Sequence, residues 1–188
     1  MRSLNSKNFL FINQNNALNL YDRNYYFMSD SSIKIDKIDK QILQILQENG
    51  KITNSQLAKE IGLSPAPTLE RVKKLESSGI IKNFHAELDT EILGLDVGVF
   101  LQTSLKETSK ESIATFLEKI NKIPEVVECH HVTGSADFLM KVLTKDIKTY
   151  NDFILNQFLE INEVGNVQSM VILNTLKNSK SLPVETNC

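Results

Sequence analysis

The chain has 188 residues, 41% hydrophobic and 23% charged, a balance that suits two compact globular domains and excludes a disordered polymer. No apolar run approaches the roughly 20 residues that cross a bilayer, the opening Phe9-Leu10-Phe11-Ile12 is too short for a signal-peptide core, and Cys129 and Cys188 form neither a disulfide framework nor a zinc spacing, so a cytoplasmic protein without a membrane partner is expected. The net charge of −2 conceals −6 over residues 89–176 and +1 over residues 30–88, which assigns any nucleic acid to the N-terminal half.

Residues 1–29 carry net charge +2, and seven asparagines lie within residues 1–27 with no sustained period. They read as a disordered or untranslated extension, with Met28 as the candidate true start. Three helical patterns follow. In the first, Ile35, Ile38, Ile42, Ile45 and Leu46 recur on one face, Asp36 is the cap, and Gly50 sits where a left-handed stop belongs. The second is short, capped by Thr53 or Asn54, with Leu57, Ala58 and Ile61 inward and Gly62 at its end. The third starts at Ser64, with Pro65 just inside and Pro67 still within the turn whose N–H groups are free. Ser64 is expected to cap it through the Ala66 N–H, and Leu69, Val72, Leu75 and Glu76 are expected to share a side. Two helices joined through Gly62-Leu63 make a tight helix-turn-helix. After Gly79, the alternation of Ile80, Phe84, Ala86 and Leu88 suggests a strand leaving this domain of residues 30–88.

Residues 89–176 read as strand, helix, strand, strand, helix, strand. Val97 to Leu105 is β-rich, and Thr108 with Glu111 suggests a capping box ahead of Ile113, Phe116, Leu117 and Ile120. Val126 to Thr133 and Phe138 to Leu143 flank a turn at Gly134-Ser135; Asp146 caps a helix carrying Ile147, Tyr150, Ile154 and Phe158, and Val167 to Leu176 closes the set. The fold class is therefore α+β: an N-terminal (winged) helix-turn-helix domain, a ferredoxin-like βαββαβ domain and a tail of residues 177–188.

In a helix-turn-helix the N-terminal part of the second helix reads the major groove. With Leu69, Val72 and Leu75 set inward, the residues facing duplex DNA are Ser64, Pro65, Ala66, Pro67, Thr68, Glu70, Arg71, Lys73 and Lys74. Arg71 is the only arginine after Arg23, and its planar fork suits guanine O6/N7 or a phosphate; as a surface residue it would instead bridge to Glu70 or Glu76. Lys73 and Lys74 suit phosphates, and Glu70 either accepts from cytosine N4 or orients Arg71.

Glu128-Cys129-His130-His131 invites a metal reading, but strand alternation puts Glu128 with His130 and Cys129 with His131, and neither pair completes a site. No nucleophile–base pair, P-loop or glycine-rich fingerprint is visible. No metal, no cofactor and no catalytic residue are expected.

The run Ile38-Asp39-Lys40-Gln41-Ile42-Leu43, then Leu57-Ala58, then Gly62-Leu63-Ser64 through Leu75-Glu76, resembles the leucine-responsive regulatory protein/AsnC (Lrp/AsnC) family of transcription regulators. So do Glu125 to His130, Val132-Thr133-Gly134 and Asp137 to Lys141; the similarity covers about residues 33–178. The resemblance implies dimers joined through the α+β domain, often assembled into an octamer, with a free amino acid as effector at the dimer–dimer interface. Its effector loop corresponds to Thr133, Gly134, Ser135 and Asp137, and the last strand supplies Gln168 and Ser169. Gly134 lets backbone approach a ligand, and Asp137 could pair with an α-ammonium; Ser135 and Ala136 replace an acidic and an aromatic residue of other members, which implies a wider, less charged pocket. The function expected is a sequence-specific regulator of amino-acid metabolism genes that answers to an amino acid. The alternatives are an architectural DNA-wrapping protein of low specificity, and an enzyme or small-molecule-binding module on the ferredoxin-like half whose N-terminal helices only mediate interactions; the lack of a catalytic constellation argues against the enzyme.

Overall fold

The computed structural model describes residues 34–184; the 1–29 extension, the candidate start at Met28, and Cys188 lie outside them. Two compact units form: residues 34–93 with the tail from 173 to 184, and residues 94–172.

The first unit contains α1 (Lys37–Glu48), α2 (Asn54–Glu60) and α3 (Pro65–Ser77). Each start has a local cause. Asp36 accepts from the Asp39 N–H while Asp39 reaches back to the Asp36 N–H, a reciprocal capping box. Thr53 and Gln56 repeat the arrangement at α2. Gly62, at φ 71°, turns the chain out of α2, and the Leu63 N–H then bonds the Ala58 carbonyl at 2.9 Å, the geometry that glycine permits at a helix exit. The three helices close on Ile42, Leu57 and Leu75, with Ile38, Leu46, Val72 and Ile80 packed around them.

Three local expectations are corrected. Ser64 makes no side-chain cap, because prolines at the first and third helical positions leave few N–H groups to receive one. Gly50 has no positive φ; Asn49 ends α1 by bonding its N–H to the Ile45 carbonyl. Residues 82–88 are exposed and belong to no strand, since a strand needs a paired edge and no described segment supplies one. The tail does find a partner within this unit. The Gln47 carboxamide donates to the Leu182 carbonyl at 3.2 Å and accepts from the Leu182 N–H at 2.6 Å, as a neighbouring strand would.

The second unit runs β1 (Val97–Leu105), α4 (Lys110–Ile120), β2 (Val126–His131), β3 (Phe138–Thr144), α5 (Ile147–Phe153) extended by a π-turn at Ile154–Phe158, and β4 (Val164–Val171). The sheet order is β2-β3-β1-β4, all neighbours antiparallel, which is the βαββαβ arrangement read from the sequence. Ser109, not Thr108, caps α4, accepting from the Ser112 N–H. Alternation decides the two faces. Val99, Leu101 and Leu105 of β1 and Phe138, Met140 and Val142 of β3 are buried against Phe116, Ile120, Phe153 and Phe158. The opposite face carries Phe100, Leu139, Leu143 and Met170, and no described helix covers it.

Candidate functional site

The inward side of α3 is set by Thr68 and Leu75, two turns apart and almost fully buried. Thr68 is tolerated there because its hydroxyl bonds the Ser64 carbonyl at 2.9 Å. The face is therefore rotated by about one residue from the sequence expectation: Leu69 is 41% exposed, and Thr68 is removed from the DNA-facing set.

Arg71 makes contacts that the sequence did not foresee. It sits on the flank facing α1, and its Nη1 donates to Asp36 Oδ2 at 2.6 Å and to Asp39 Oδ1 at 2.7 Å. Asp39 is almost completely buried, and its other oxygen accepts the Asp36 N–H at 3.2 Å. A buried carboxylate requires a partner of opposite charge, and this arginine is it, rather than a bridge to Glu70 or Glu76, the alternative the sequence offered. The Asp39 N–H, and next the Arg71 guanidinium, hold the Asp36 carboxyl below its ordinary value; the two carboxylates raise the arginine. The group expected to read bases thus struts α3 against the start of α1. A second tie is local: the Asn54 carboxamide donates to the Pro65 carbonyl at 2.7 Å, joining the first residues of α2 and α3.

Ser64, Pro65, Ala66, Pro67, Glu70, Lys73 and Lys74 remain exposed as expected. Glu70 and Lys73 pair with each other at 3.6 Å on the surface. The outer face thus offers one hydroxyl, three small apolar groups, one carboxylate and two ammoniums, all on the N-terminal three turns of the helix.

In the second unit, an open hollow of about 360 Å³ is lined by Gln102, Thr103 and Ser104 of β1, Ser135 and Ala136 of the β2–β3 loop, and Asn166, Val167 and Gln168 of β4. It gathers Ser135 and Gln168 from the expected effector residues, but not Thr133, Gly134, Asp137 or Ser169. Asp137 Oδ2 accepts the Leu105 N–H at 2.8 Å, and its own N–H donates to the Thr103 carbonyl at 3.0 Å, so this carboxylate ties the loop to β1. Ser169 pairs with Leu101 on the helix-covered face, and its hydroxyl lies 2.5 Å from the Tyr150 hydroxyl. Gly134 adopts φ 128°, a conformation that favours glycine. Sequence reasoning missed Gln102, Ser104 and Asn166; the signal was available in the alternation of Val97–Leu105, which sets Gln102 opposite Gln168 once β1 and β4 are paired.

Among the described residues no group of His, Cys, Asp and Glu is arranged to hold a metal. His130 lies 3.3 Å from Glu128, and Cys129 faces the core, where burial pushes its thiol up to about 11. No helix among the described residues is long and apolar enough to cross a membrane.

Two family models match the chain: a winged helix-turn-helix DNA-binding domain over residues 35–82, and the Lrp/AsnC ligand-binding domain over residues 98–182. The chain is 39% identical over 153 residues to the transcriptional regulator AzlB of Bacillus subtilis, covering 81% of this chain and 98% of that protein. It is 34% identical over 152 residues to the leucine-responsive regulatory protein of Escherichia coli K12, with 81% and 93% covered. A transcriptional regulator of Neisseria meningitidis solved as an L-Met complex superposes with a TM-score of 0.77 at 36% identity, covering 80% of this chain and 97% of that one. These relatives are regulators, not enzymes. With a DNA-binding domain and a ligand-binding domain in the order shared by relatives matched over nearly their whole length, the chain belongs to the Lrp/AsnC family of transcriptional regulators.

Proposed function

We propose that the protein is a sequence-specific regulator of amino-acid metabolism genes, which reads DNA with the outer face of α3 and answers to a free amino acid held in the β1–loop–β4 hollow. The observation that carries the DNA reading is the division of α3: Thr68, Arg71, Val72 and Leu75 serve the domain, while Ser64, Ala66, Pro67, Glu70, Lys73 and Lys74 face outward. Glu70 suits the cytosine N4 donor, the Ala66 methyl and Pro67 ring suit thymine methyl groups, and Lys73 and Lys74 suit phosphates. Residues 34–88 are nearly neutral, so affinity depends on linked readers on one DNA.

Assembly is part of the reading. The open sheet face, with Phe100 and Met170 both more than a third exposed, suits burial against the same face of a second copy, and the family resemblance implies further association of dimers to an octamer. The L-Met complex of the Neisseria meningitidis relative and the ligand-binding family model support an amino-acid effector.

The test is selection of binding sites from a random duplex library by the full chain and by Glu70→Ala. The wild type should enrich a discrete motif, and the variant should lose preference at one position, at about 1–3 kcal/mol per base pair. Identical motifs for the two proteins would remove Glu70 from base reading, and no motif at all would favour an architectural role.

A further inference from the structure

Along α3 a polar residue is buried and the apolar residue after it is not: Thr68 is fully buried, while Leu69 is 41% exposed. That reverses the usual order, in which leucine goes inside before threonine. Local contacts hold the helix in this rotation. The Thr68 hydroxyl bonds the Ser64 carbonyl at 2.9 Å, so its burial leaves no donor unsatisfied. Arg71 is pinned to Asp36 and Asp39 on the flank facing α1, and the Asn54 carboxamide holds the Pro65 carbonyl at the helix start. Rotating α3 to bury Leu69 would break the Arg71–Asp39 pair, whose carboxylate is itself buried. At about 100° per residue, Pro65, Ala66, Leu69, Glu70, Lys73 and Lys74 share one exposed arc. Leu69 stands one turn beyond Pro65 and Ala66 and one turn before Lys73.

We infer, resting on the α3 reading proposed above, that Leu69 meets the C5-methyl group of a thymine and so sets the base preferred at one position of each half-site. The N-terminal part of a recognition helix lies against base edges in the major groove, and Leu69 is in the second turn of α3. Thymine is the one base with an apolar group on its major-groove edge. That methyl buries against the Leu69 side chain without losing a hydrogen bond. Adenine, guanine and cytosine each bring a polar edge, which a leucine strips of water without returning a partner. One methyl should change affinity about fourfold at each reader engaged, the value for burying a CH₂-sized group.

The test starts from the motif that the full chain selects from a random duplex library. Each thymine of that motif, on either strand, is replaced in turn by uracil, which keeps the base pair and the O4 acceptor and removes only the methyl. Affinities are measured for the wild type and Leu69→Ala, and selection is repeated with Leu69→Gln. Replacement at one position of the half-site should weaken the wild type about fourfold and leave Leu69→Ala unaffected. Leu69→Gln, whose carboxamide suits adenine N6 and N7, should select adenine at that position. A wild-type motif in which no thymine is sensitive to the exchange overturns the thymine assignment and leaves the α3 reading standing. So does a loss at every sensitive thymine that Leu69→Ala leaves the same, or a motif that Leu69→Gln does not alter. The absence of any motif removes base reading by α3, and the assignment with it. Leu69 is exposed, so both variants should melt with the wild type. Where Leu69→Ala does not fold, the base selected by Leu69→Gln decides; failure of both to fold would assign Leu69 to the core and overturn the assignment as well.

Discussion

Arg71 shows how a residue that suits base reading is held by the demands of its own domain. Asp39 is buried in the first turn of α1, and a buried carboxylate left alone is strongly unfavourable. Arg71→Ala should therefore destabilise the DNA-reading unit by about 3 kcal/mol, the lower end of the range for a broken buried pair because the guanidinium is partly solvated. Urea unfolding measures it, and Arg71→Lys should recover only part, since one ammonium cannot match the planar fork. A loss below about 0.5 kcal/mol would mean the strut is idle. The same cluster fixes a pH dependence. Asp36 has a folded pKa below its ordinary 3.8, so its contribution is complete above that value and is lost as pH falls through the folded one. Asp36→Ala should flatten the acid limb of the unit's stability curve; an unchanged limb would assign acid sensitivity elsewhere. Cys129, its thiol pushed up to about 11 by burial, should alkylate far more slowly at pH 8 than an exposed thiol. That is measurable in a Cys188→Ser background, where rapid labelling would contradict the burial.

At the scale of elements, much was legible in the sequence because the signals are local. The Asp36 cap, the Thr53 cap, the Gly62 turn and the strand Val97–Leu105 each follow from residues within a few positions of one another. What escaped depends on distant partners. The rotation of α3 is decided by Asp39, 32 residues before Arg71, and by a threonine that satisfies its own hydroxyl, so hydrophobic periodicity alone put Leu69 inside and Thr68 outside. Gln102 became visible only through its register with Gln168. The segment at 82–88 has strand composition but no paired edge among the described residues. The tail was equally illegible, because its tie is a side chain imitating backbone: Gln47 meets both groups of Leu182. Truncation after Leu176 should lower the melting of the DNA-reading unit modestly, by about 1 kcal/mol for two solvent-exposed hydrogen bonds. An unchanged transition would show that the tail contributes nothing to its stability.

At the scale of the whole molecule, sensing and reading are carried by separate units with different surfaces. The DNA-reading unit has a nearly even charge balance, and two of its exposed lysines, Lys73 and Lys74, lie on α3. The ligand-binding unit is acidic, keeps one sheet face uncovered, and gathers unpartnered polar side chains beside the β2–β3 loop. This division matches a transcriptional regulator with one DNA-binding and one ligand-binding domain. The central claim is that the outer face of α3 meets the duplex. Its most direct test is the salt dependence of DNA affinity for the wild type, Lys74→Ala and, as a control on the ligand-binding unit, Lys110→Ala. Lys74→Ala should reduce the slope of log K against log salt by about 0.9 for each reader engaged, while Lys110→Ala leaves it unchanged. Equal slopes for wild type and Lys74→Ala, or an equal loss in both variants, would contradict the account.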